Sequence, residues 1–588
     1  MTLLRDWQWH HGLRKWFLNC RLEPELIPTP FVPAATNWFV LVSPSYPWGS
    51  IKFHPAKDGG LAHTFPHQSY AKETSRYEVP WRTCSLCLDT PTKTLGRQEY
   101  TIEPYDPERR LAWHCKRGLA WLVDAARAEL TKPGEPYELP QYPIDPGSPL
   151  SVAFSEGTES FKAWEAKSDA FGLVDFYVLR RAIDIQVVKC FRTIAGEALL
   201  TPDWGPSVTQ EAGAVSRGLW LRLSEPPIQD PWQAPITWGD LRATCRRQQI
   251  DLDEHLRQSI ERIKGRDNIG EVVIVGFPIP AVFGETARRM HWLGINLPKL
   301  FKADEQVPGF RKGKQSSWLH NRTRILTDGR SVRWLESENW FPDQLQTRGR
   351  LAEDMTSKKV LLLGAGALGS SLAELLVRAG VHSMIVMDSD LLEAGNLVRH
   401  TLTMGELNEF KAEAVAKHLN GVAPTAHIEF MNLSFPPTGA SAEARINSCD
   451  LVIDCTGNDE VLHDLGAFGW LSELTFISVS FTLGAKRLFC FAARGNRFPT
   501  ATYRQEISPW LIQDLEEYRE QELPREGLGC WHPVFPARAD DVWLLASTAL
   551  KWIEKVAISP PTEPRVVVFE QKTENGDFLG VERCGKPK

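Results

Sequence analysis

Lys359–Leu363 reads KVLLL, and the glycine run GAGALG follows at once at Gly364–Gly369. An unbroken apolar strand of this kind suits a parallel sheet that helices cover on both faces. Gly364, Gly366 and Gly369 satisfy G-x-G-x-x-G. That spacing permits a tight turn, a close approach of backbone to a ligand, and a helix whose N-terminus is aimed at phosphate. Leu368, Leu372, Leu375 and Leu376 then mark one stripe of a helix, and Met384–Met387, Leu451–Ile453 and Phe476–Val479 read as further strands. Strands alternating with helices predict a doubly wound parallel sheet.

The glycine motif alone fits NAD, FAD and adenylating enzymes. The absence of G-x-x-x-x-G-K-[ST] disfavours a Walker-type ATPase. The charges that follow discriminate further. Asp388 ends the second strand, where a carboxylate can hold a ribose hydroxyl. Asn396 and Arg399 stand in GNLVRH, Lys411 opens the helical EFKAEAVAKHL, and Asp454 ends the strand of VIDCTGN. Ligands of such sheets lie outside the carboxyl ends of the strands, so these groups are expected to converge on one crevice. Hydride transfer needs no such cluster. Attack of a carboxylate on an α-phosphate brings two anions together; it needs cations to neutralise them and an acid that can hold magnesium.

GAGALGS, the span DSDLLEAGNLVR, the lysine of the next helix and DCTGN together resemble the E1-like (ThiF/MoeB) family that adenylates protein C-termini. The resemblance covers about 358–558. It implies ATP and Mg2+, with Asp388 at the ribose and Asn396, Arg399 and Lys411 at phosphates. Asp454 would bind magnesium or orient the attacking carboxylate. Gly457 stands where the family often has aspartate, and His400 where it commonly has glutamine. Sulfur-carrier activators of this family commonly carry paired C-x-x-C zinc motifs near the C-terminus; Cys490, Cys530 and Cys584 are single, and no structural zinc is expected here. Arg348 and Arg350 are the candidates to assist the leaving pyrophosphate.

The fold class expected for the whole chain is multidomain α/β. An N-terminal α+β domain spans 1–145, a middle α/β domain 150–345, and the Rossmann-like domain 350–588. Residues 3–17 place Leu3, Leu4, Trp7, Leu13 and Trp16 near helical spacing; strands follow at 37–42 and 50–54, and an amphipathic helix from Arg110. The proline-rich Thr131–Pro149 reads as a linker. In the middle, 175–190 reads as strand, 238–263 as helix and Glu271–Gly276 as a buried strand; no chemical constellation stands out, and a scaffold is expected. The net charge of −6 disfavours a chain built mainly to bind nucleic acid. No run of about 18 apolar residues predicts a membrane span. The N-terminus has no signal-peptide core, and eleven cysteines in 588 residues are too few for a disulfide scaffold, so reduced thiols and a cytoplasmic location are expected.

Two cysteines are candidate nucleophiles. Cys530, in GCWHPVF, follows glycine and stands near His532, which can lower a thiol pKa; its position resembles the E1 thioester cysteine. HTFPHQSY (His63–Tyr70) and CSLCLDTP (Cys84–Pro91) resemble a divergent E2 ubiquitin-conjugating (UBC) domain, with Pro66-His67 before a catalytic Cys87. Cys84 and Cys87 also admit half a zinc site with His114 and Cys115, a redox dithiol, or plain core. The whole order resembles the E2–E1 fusions of bacterial anti-phage cyclic-oligonucleotide signalling (CBASS) operons. That resemblance implies activation of the C-terminal tail of a cGAS-like nucleotidyltransferase. The acyl group would pass to Cys530, then Cys87, then a target amine. A separate ubiquitin-like protein as substrate, a sulfur-carrier activator and a nucleotide-binding scaffold are the alternatives. A homodimer is expected, since closed two-fold symmetry is the default for oligomers.

Overall fold

The computed structural model describes residues 1–70, 78–89, 98–144, 147–262, 269–301, 305–307, 309, 311, 313–520, 522–526 and 532–585. These divide into two units. The first is Met1–Pro202 with Gly213–Asn339; the second is Asp203–Ala212 with Trp340–Lys588.

The first unit begins with an antiparallel meander of Thr2–His10, Lys15–Leu22, Thr36–Val42 and Ile51–Pro55. The helix expected over 3–17 is therefore two strands and a turn. Helix Arg110–Arg127 packs across the sheet through Trp121, Leu122 and Ala125, on a core that includes Leu18, Leu22, Val40 and Phe53. At Gly118 helix and sheet lie close, since an added Cβ would already touch Phe53 and Leu22 at 3.6–3.7 Å.

Among its described residues the segment 131–149 has no helix or long strand, as its prolines dictate, yet it is not a solvated spacer. Tyr137, Leu139 and Tyr142 pack on the core of the following domain, and Tyr142 stands 4.7 Å from the ring of Trp334. That domain is a mixed sheet in the order Trp334–Leu335, Arg289–Asn296, Ile269–Ile279, Ala214–Arg222, Phe171–Leu179, Asp184–Arg192, Leu150–Phe154, Ser337–Asn339. The expected strand at 175–190 is a hairpin of two. The expected helix at 238–263 is also two, Trp238–Arg247 and Leu252–Arg262, separated at Gln249 with its φ of 61°. On one face Glu156, 1% exposed, accepts the indole N–H groups of Trp164 (2.9 Å) and Trp292 (2.8 Å) and the hydroxyl of Ser160. Burial pushes its pKa up to about 7, against these three donors.

The second unit is built on one sheet. Its order is His427–Met431, Ser383–Met387, Lys359–Leu363, Leu451–Asp454, Leu474–Phe481, Arg487–Gly495, Arg565–Glu574, Asp577–Arg583. The first five strands are parallel; the last three run antiparallel, so the sheet is mixed rather than parallel throughout. The apolar run KVLLL splits by alternation. Val360 and Leu362 enter one core with the helices Ala367–Arg378, Lys411–Asn420 and Ala539–Ile558; Leu361 and Leu363 enter the other with Asp459–Ala467 and Thr500–Glu517. Each such fully buried side chain contributes about 1.5–3 kcal/mol. The chain leaves Lys359–Leu363 to one side and returns to Leu451–Asp454 on the other. This reversal opens a crevice at the carboxyl ends of those two strands. Among the described residues no helix is long and apolar enough to cross a membrane.

Candidate active site

The crevice is a cavity of about 630 Å³. Its walls include the first turn of the helix, Gly366, Ala367 and Leu368, with Asn396, Arg399 and Lys411. The three motif glycines serve different needs. Gly364 has a φ of 85°, open to glycine at little cost. An added Cβ on Gly369 would lie 1.9 Å from the Gly364 carbonyl oxygen, so helix and turn pack together only without it. Gly366 is the contrast: a Cβ there meets nothing within 4 Å. Protein packing does not demand a glycine at 366. Open space beside a helix N-terminus, where backbone N–H groups lack intrahelical partners, suits a phosphate.

Both oxygens of Asp388 hold backbone: Oδ2 accepts the Ala365 N–H (2.7 Å) and Oδ1 the Asp390 N–H (2.8 Å). The carboxylate thus fastens the glycine turn from the second strand. Lys411 opens its helix at the end where a cation is disfavoured by the helix dipole. Its backbone N–H donates to the Asp390 carbonyl (2.8 Å) and its Nζ to the Asp390 carboxylate (3.0 Å), with the side chain only 11% exposed. Asn396 caps its own turn by accepting the Glu393 N–H (3.1 Å), and the Arg399 guanidinium donates to the Phe535 carbonyl. Arg350 pairs with Asp343 on the surface.

Asp454 does not line the cavity. It is 1% exposed; Oδ1 accepts the hydroxyl (2.6 Å) and N–H (3.1 Å) of Thr456, and Oδ2 accepts the Ser478 hydroxyl (2.8 Å). Burial raises its pKa. Magnesium is commonly held by one or two carboxylates together with substrate phosphates. Here the carboxylate at the strand end has both oxygens already engaged beneath the surface. The residues present do not form a magnesium site, and no step below runs through the ion. What places Ser478 beside Asp454 is strand register, since the two are partners across the parallel pair.

His400 was the most consequential residue to go unassigned. It is 9% exposed; its Nε2–H donates to the Ala365 carbonyl (2.7 Å), and its Nδ1 accepts the Leu402 N–H (3.1 Å). Those two bonds fix a neutral tautomer, and burial lowers its pKa. The histidine therefore ties the Arg399 segment to the glycine turn. Gly457 has a φ of 61° in the turn that lines the crevice. Tyr503 and Asp514, from helix Thr500–Glu517, also line it and belong to no motif. Burial pushes the Tyr503 hydroxyl up to about 12, with Ser478 and Ser480 as its polar neighbours.

Cys530 lies outside the described residues, and so does the side chain of His532. In the first unit, Cys87 is exposed and Cys84 is buried. The Cys84 thiol accepts the Gln68 amide (3.4 Å), and burial pushes its pKa up to about 11. His114 is held at 2.7 Å by Glu103, both side chains 0% exposed. Arg117 of the packed helix donates to the carbonyls of Leu88 (2.9 Å) and Asp89 (3.4 Å), fixing the chain just past Cys87.

Comparison with known proteins follows the same division. Residues 128–340 match the family described as the Cap2 central linker domain, and residues 343–498 match the ThiF family. The ATP-dependent ubiquitin transferase-like protein Cap2 of Enterobacter hormaechei subsp. hoffmannii (strain UCI 50) is 35% identical over 556 residues, 93% of this chain and 90% of that one. Its namesake from Pseudomonas aeruginosa (strain BWHPSA011 / Pa011) is 31% identical over 116 residues, 19% of this chain and 20% of that one. Molybdopterin-synthase adenylyltransferase of Escherichia coli (strain K12) is 30% identical over 127 residues, 21% of this chain and 50% of that one. With a relative aligned over nearly the full length of both chains and the linker and ThiF families matched in order, this chain belongs to the Cap2 family of ATP-dependent ubiquitin transferase-like proteins.

Proposed function

We propose that the second unit adenylates a protein C-terminus with ATP, and that the acyl group then moves to Cys530, to Cys87 and finally to an amine of a target protein. The observation that carries this reading is the bare Gly366 at a helix N-terminus, facing a cavity rimmed by Arg399 and Lys411. Membership in a family whose relatives are named ATP-dependent supports it.

The chemistry asks the site to bring a carboxylate onto a polyphosphate. The helix N-terminus takes phosphate through its N–H groups, and Lys411 and Arg399 offset the negative charge as the carboxylate oxygen attacks the α-phosphorus and pyrophosphate departs. Asp388 and His400 hold the turn from two sides, so the N–H groups are oriented before the substrate arrives. A thiolate then attacks the acyl carbon and releases AMP, which splits one difficult acylation into easier steps. The activated tail is that of a cGAS-like nucleotidyltransferase in anti-phage defence, and the N-terminal domain with Cys87 acts as an E2-like acceptor. The second units associate as a homodimer, which light scattering of the full chain tests by mass.

The decisive assay is tail-dependent ATP–pyrophosphate exchange. Arg399→Ala abolishes it, whereas Cys530→Ala and Cys87→Ala leave it intact, because adenylation precedes any thiol step. Exchange near the parent rate in Arg399→Ala would place the ATP site elsewhere. Presenting a nucleotidyltransferase tail and a ubiquitin-like C-terminus side by side identifies the substrate.

A further inference from the structure

Gln68 and Leu86 form an antiparallel bridge, flanked by the bonds Ser69 N–H to Ser85 carbonyl (3.1 Å) and Cys87 N–H to His67 carbonyl (2.8 Å). His67 therefore stands directly opposite the exposed Cys87. Its φ is 57°, a left-handed conformation uncommon outside glycine, and a strained backbone that the surroundings hold in place points to function. What holds it is Glu138, from the segment that joins the N-terminal helix to the middle domain. One carboxylate oxygen accepts the His67 N–H (3.3 Å) and the other lies 3.1 Å from Nδ1. One turn along the contact, Gln141 accepts the Tyr70 N–H (3.1 Å). A carboxylate can only accept, so the ring carries its proton on Nδ1 and presents the Nε2 lone pair as a base. The two side chains remain 41% and 35% exposed, open to a substrate.

We propose that His67 is the proton acceptor for the amine that discharges the Cys87 thioester, with Glu138 as its positioning residue; this rests on the reading of Cys87 as the last acyl carrier. The amine nitrogen attacks the thioester carbon. The C–N bond forms, the C–S pair leaves on Sγ as thiolate, and the surplus proton on nitrogen passes to His67 Nε2. The imidazolium then returns the proton to the thiolate or to water. The ionisable side chains on the elements bonded to this stretch include Tyr137 and Glu138 on the connecting segment, Arg82, Cys84, Cys87 and Asp89 on the thiol loop, and Arg117 on the helix.

The test charges the full chain with a fluorescent tail peptide and ATP, then follows single-turnover discharge to free lysine across pH. His67→Asn is the main variant, since asparagine tolerates positive φ and lacks a base; Glu138→Gln is the second. Both load Cys87 as the parent does. Discharge by His67→Asn falls by about tenfold or more near neutral pH and loses the parent's rise of rate with pH, within the usual worth of a general base. Glu138→Gln keeps the base and its rise of rate with pH but lowers the rate by a smaller factor. A parent-like pH profile in His67→Asn overturns the proposal, as does failure of that variant to load, which would make His67 structural. Failure of the parent itself to load Cys87 sinks the acyl-carrier reading instead.

Discussion

His400→Ala tests whether the glycine turn is held from outside the motif. The substitution removes two hydrogen bonds and strands the Ala365 carbonyl and the Leu402 N–H in a buried setting. Leaving a buried polar group unpaired costs about 1–3 kcal/mol, so the pair amounts to about 3 kcal/mol. For a unit of this size, at about 2–4 °C per kcal/mol, the unfolding transition of the second unit drops by about 6–12 °C. His400→Gln can restore both bonds, its amide N–H₂ donating to Ala365 and its carbonyl accepting from Leu402, and recovers most of the loss. Scanning calorimetry of the full chain reads the shift, and tail-dependent exchange should fall in parallel. The parent also carries a pH signature. Its buried ring has a lowered pKa, so as pH falls through the ordinary histidine range the unfolded chain takes a proton that the folded chain refuses. The stability contribution present above that range is lost towards acid, and glutamine removes this dependence. A His400→Ala transition within a degree of the parent would refute the tie. Glutamine as damaging as alanine would refute the hydrogen-bond account in favour of packing.

Gly366→Ala should melt with the parent yet lose tail-dependent exchange by tenfold or more, because its methyl enters open space where phosphate belongs. Gly369→Ala should instead lower the melting transition, because its Cβ strikes the Gly364 carbonyl. The thiols should act in order: on gels without reductant Cys530→Ala loads nothing on Cys87, and Cys87→Ala accumulates a reducible adduct on Cys530. The first unit should be acid-sensitive. Burial pushes His54 and His291 down to about 4, so each withdraws up to about 3 kcal/mol as pH falls from about 6.5 to 4. Glu156, raised to about 7, opposes them: its contribution is lost as pH rises through 7. Urea titrations at pH 7 and 5 should show a net loss at pH 5, steepened by Glu156→Gln and flattened by replacing the two histidines.

The second unit was legible where local pattern and tertiary demand agree. KVLLL has to be covered on both faces, and the turn that follows cannot be built at Gly369 with a side chain. Strand direction beyond Phe481 was not legible, because RLFCFAARG and RVVVFE satisfy parallel and antiparallel neighbours alike. The N-terminus misled for a related reason. In TLLRDWQWH most side chains are exposed, so burial imposes no alternation and the chance i, i+3, i+4 spacing of Leu3, Leu4 and Trp7 mimics a helix; pairing with Lys15–Leu22 decides the outcome. Asn396, Arg399 and Lys411, read from the ends of strands and the starts of helices, line the crevice, whereas Asp388 holds the backbone beside it. Asp454 does not line it, and its burial under Thr456 and Ser478 follows from strand register. His400, Tyr503 and Asp514 belong to contacts between segments far apart in sequence, which no local pattern encodes. Cys530 lies outside the described residues, and its assignment rests on resemblance.

The buried Glu156 gives the first unit an optical reporter of its own. Trp164, Trp220 and Trp292 stand with ring centroids 5.4–6.3 Å apart, and two of their indole N–H groups point at the same carboxylate. Rings this close share excitation and couple their transitions, so the cluster should dominate the near-ultraviolet circular dichroism of this unit. Its emission should also shift as the carboxyl gains or loses its proton. Substrates and partners that bend the middle sheet can therefore be followed in the unlabelled protein, by light alone.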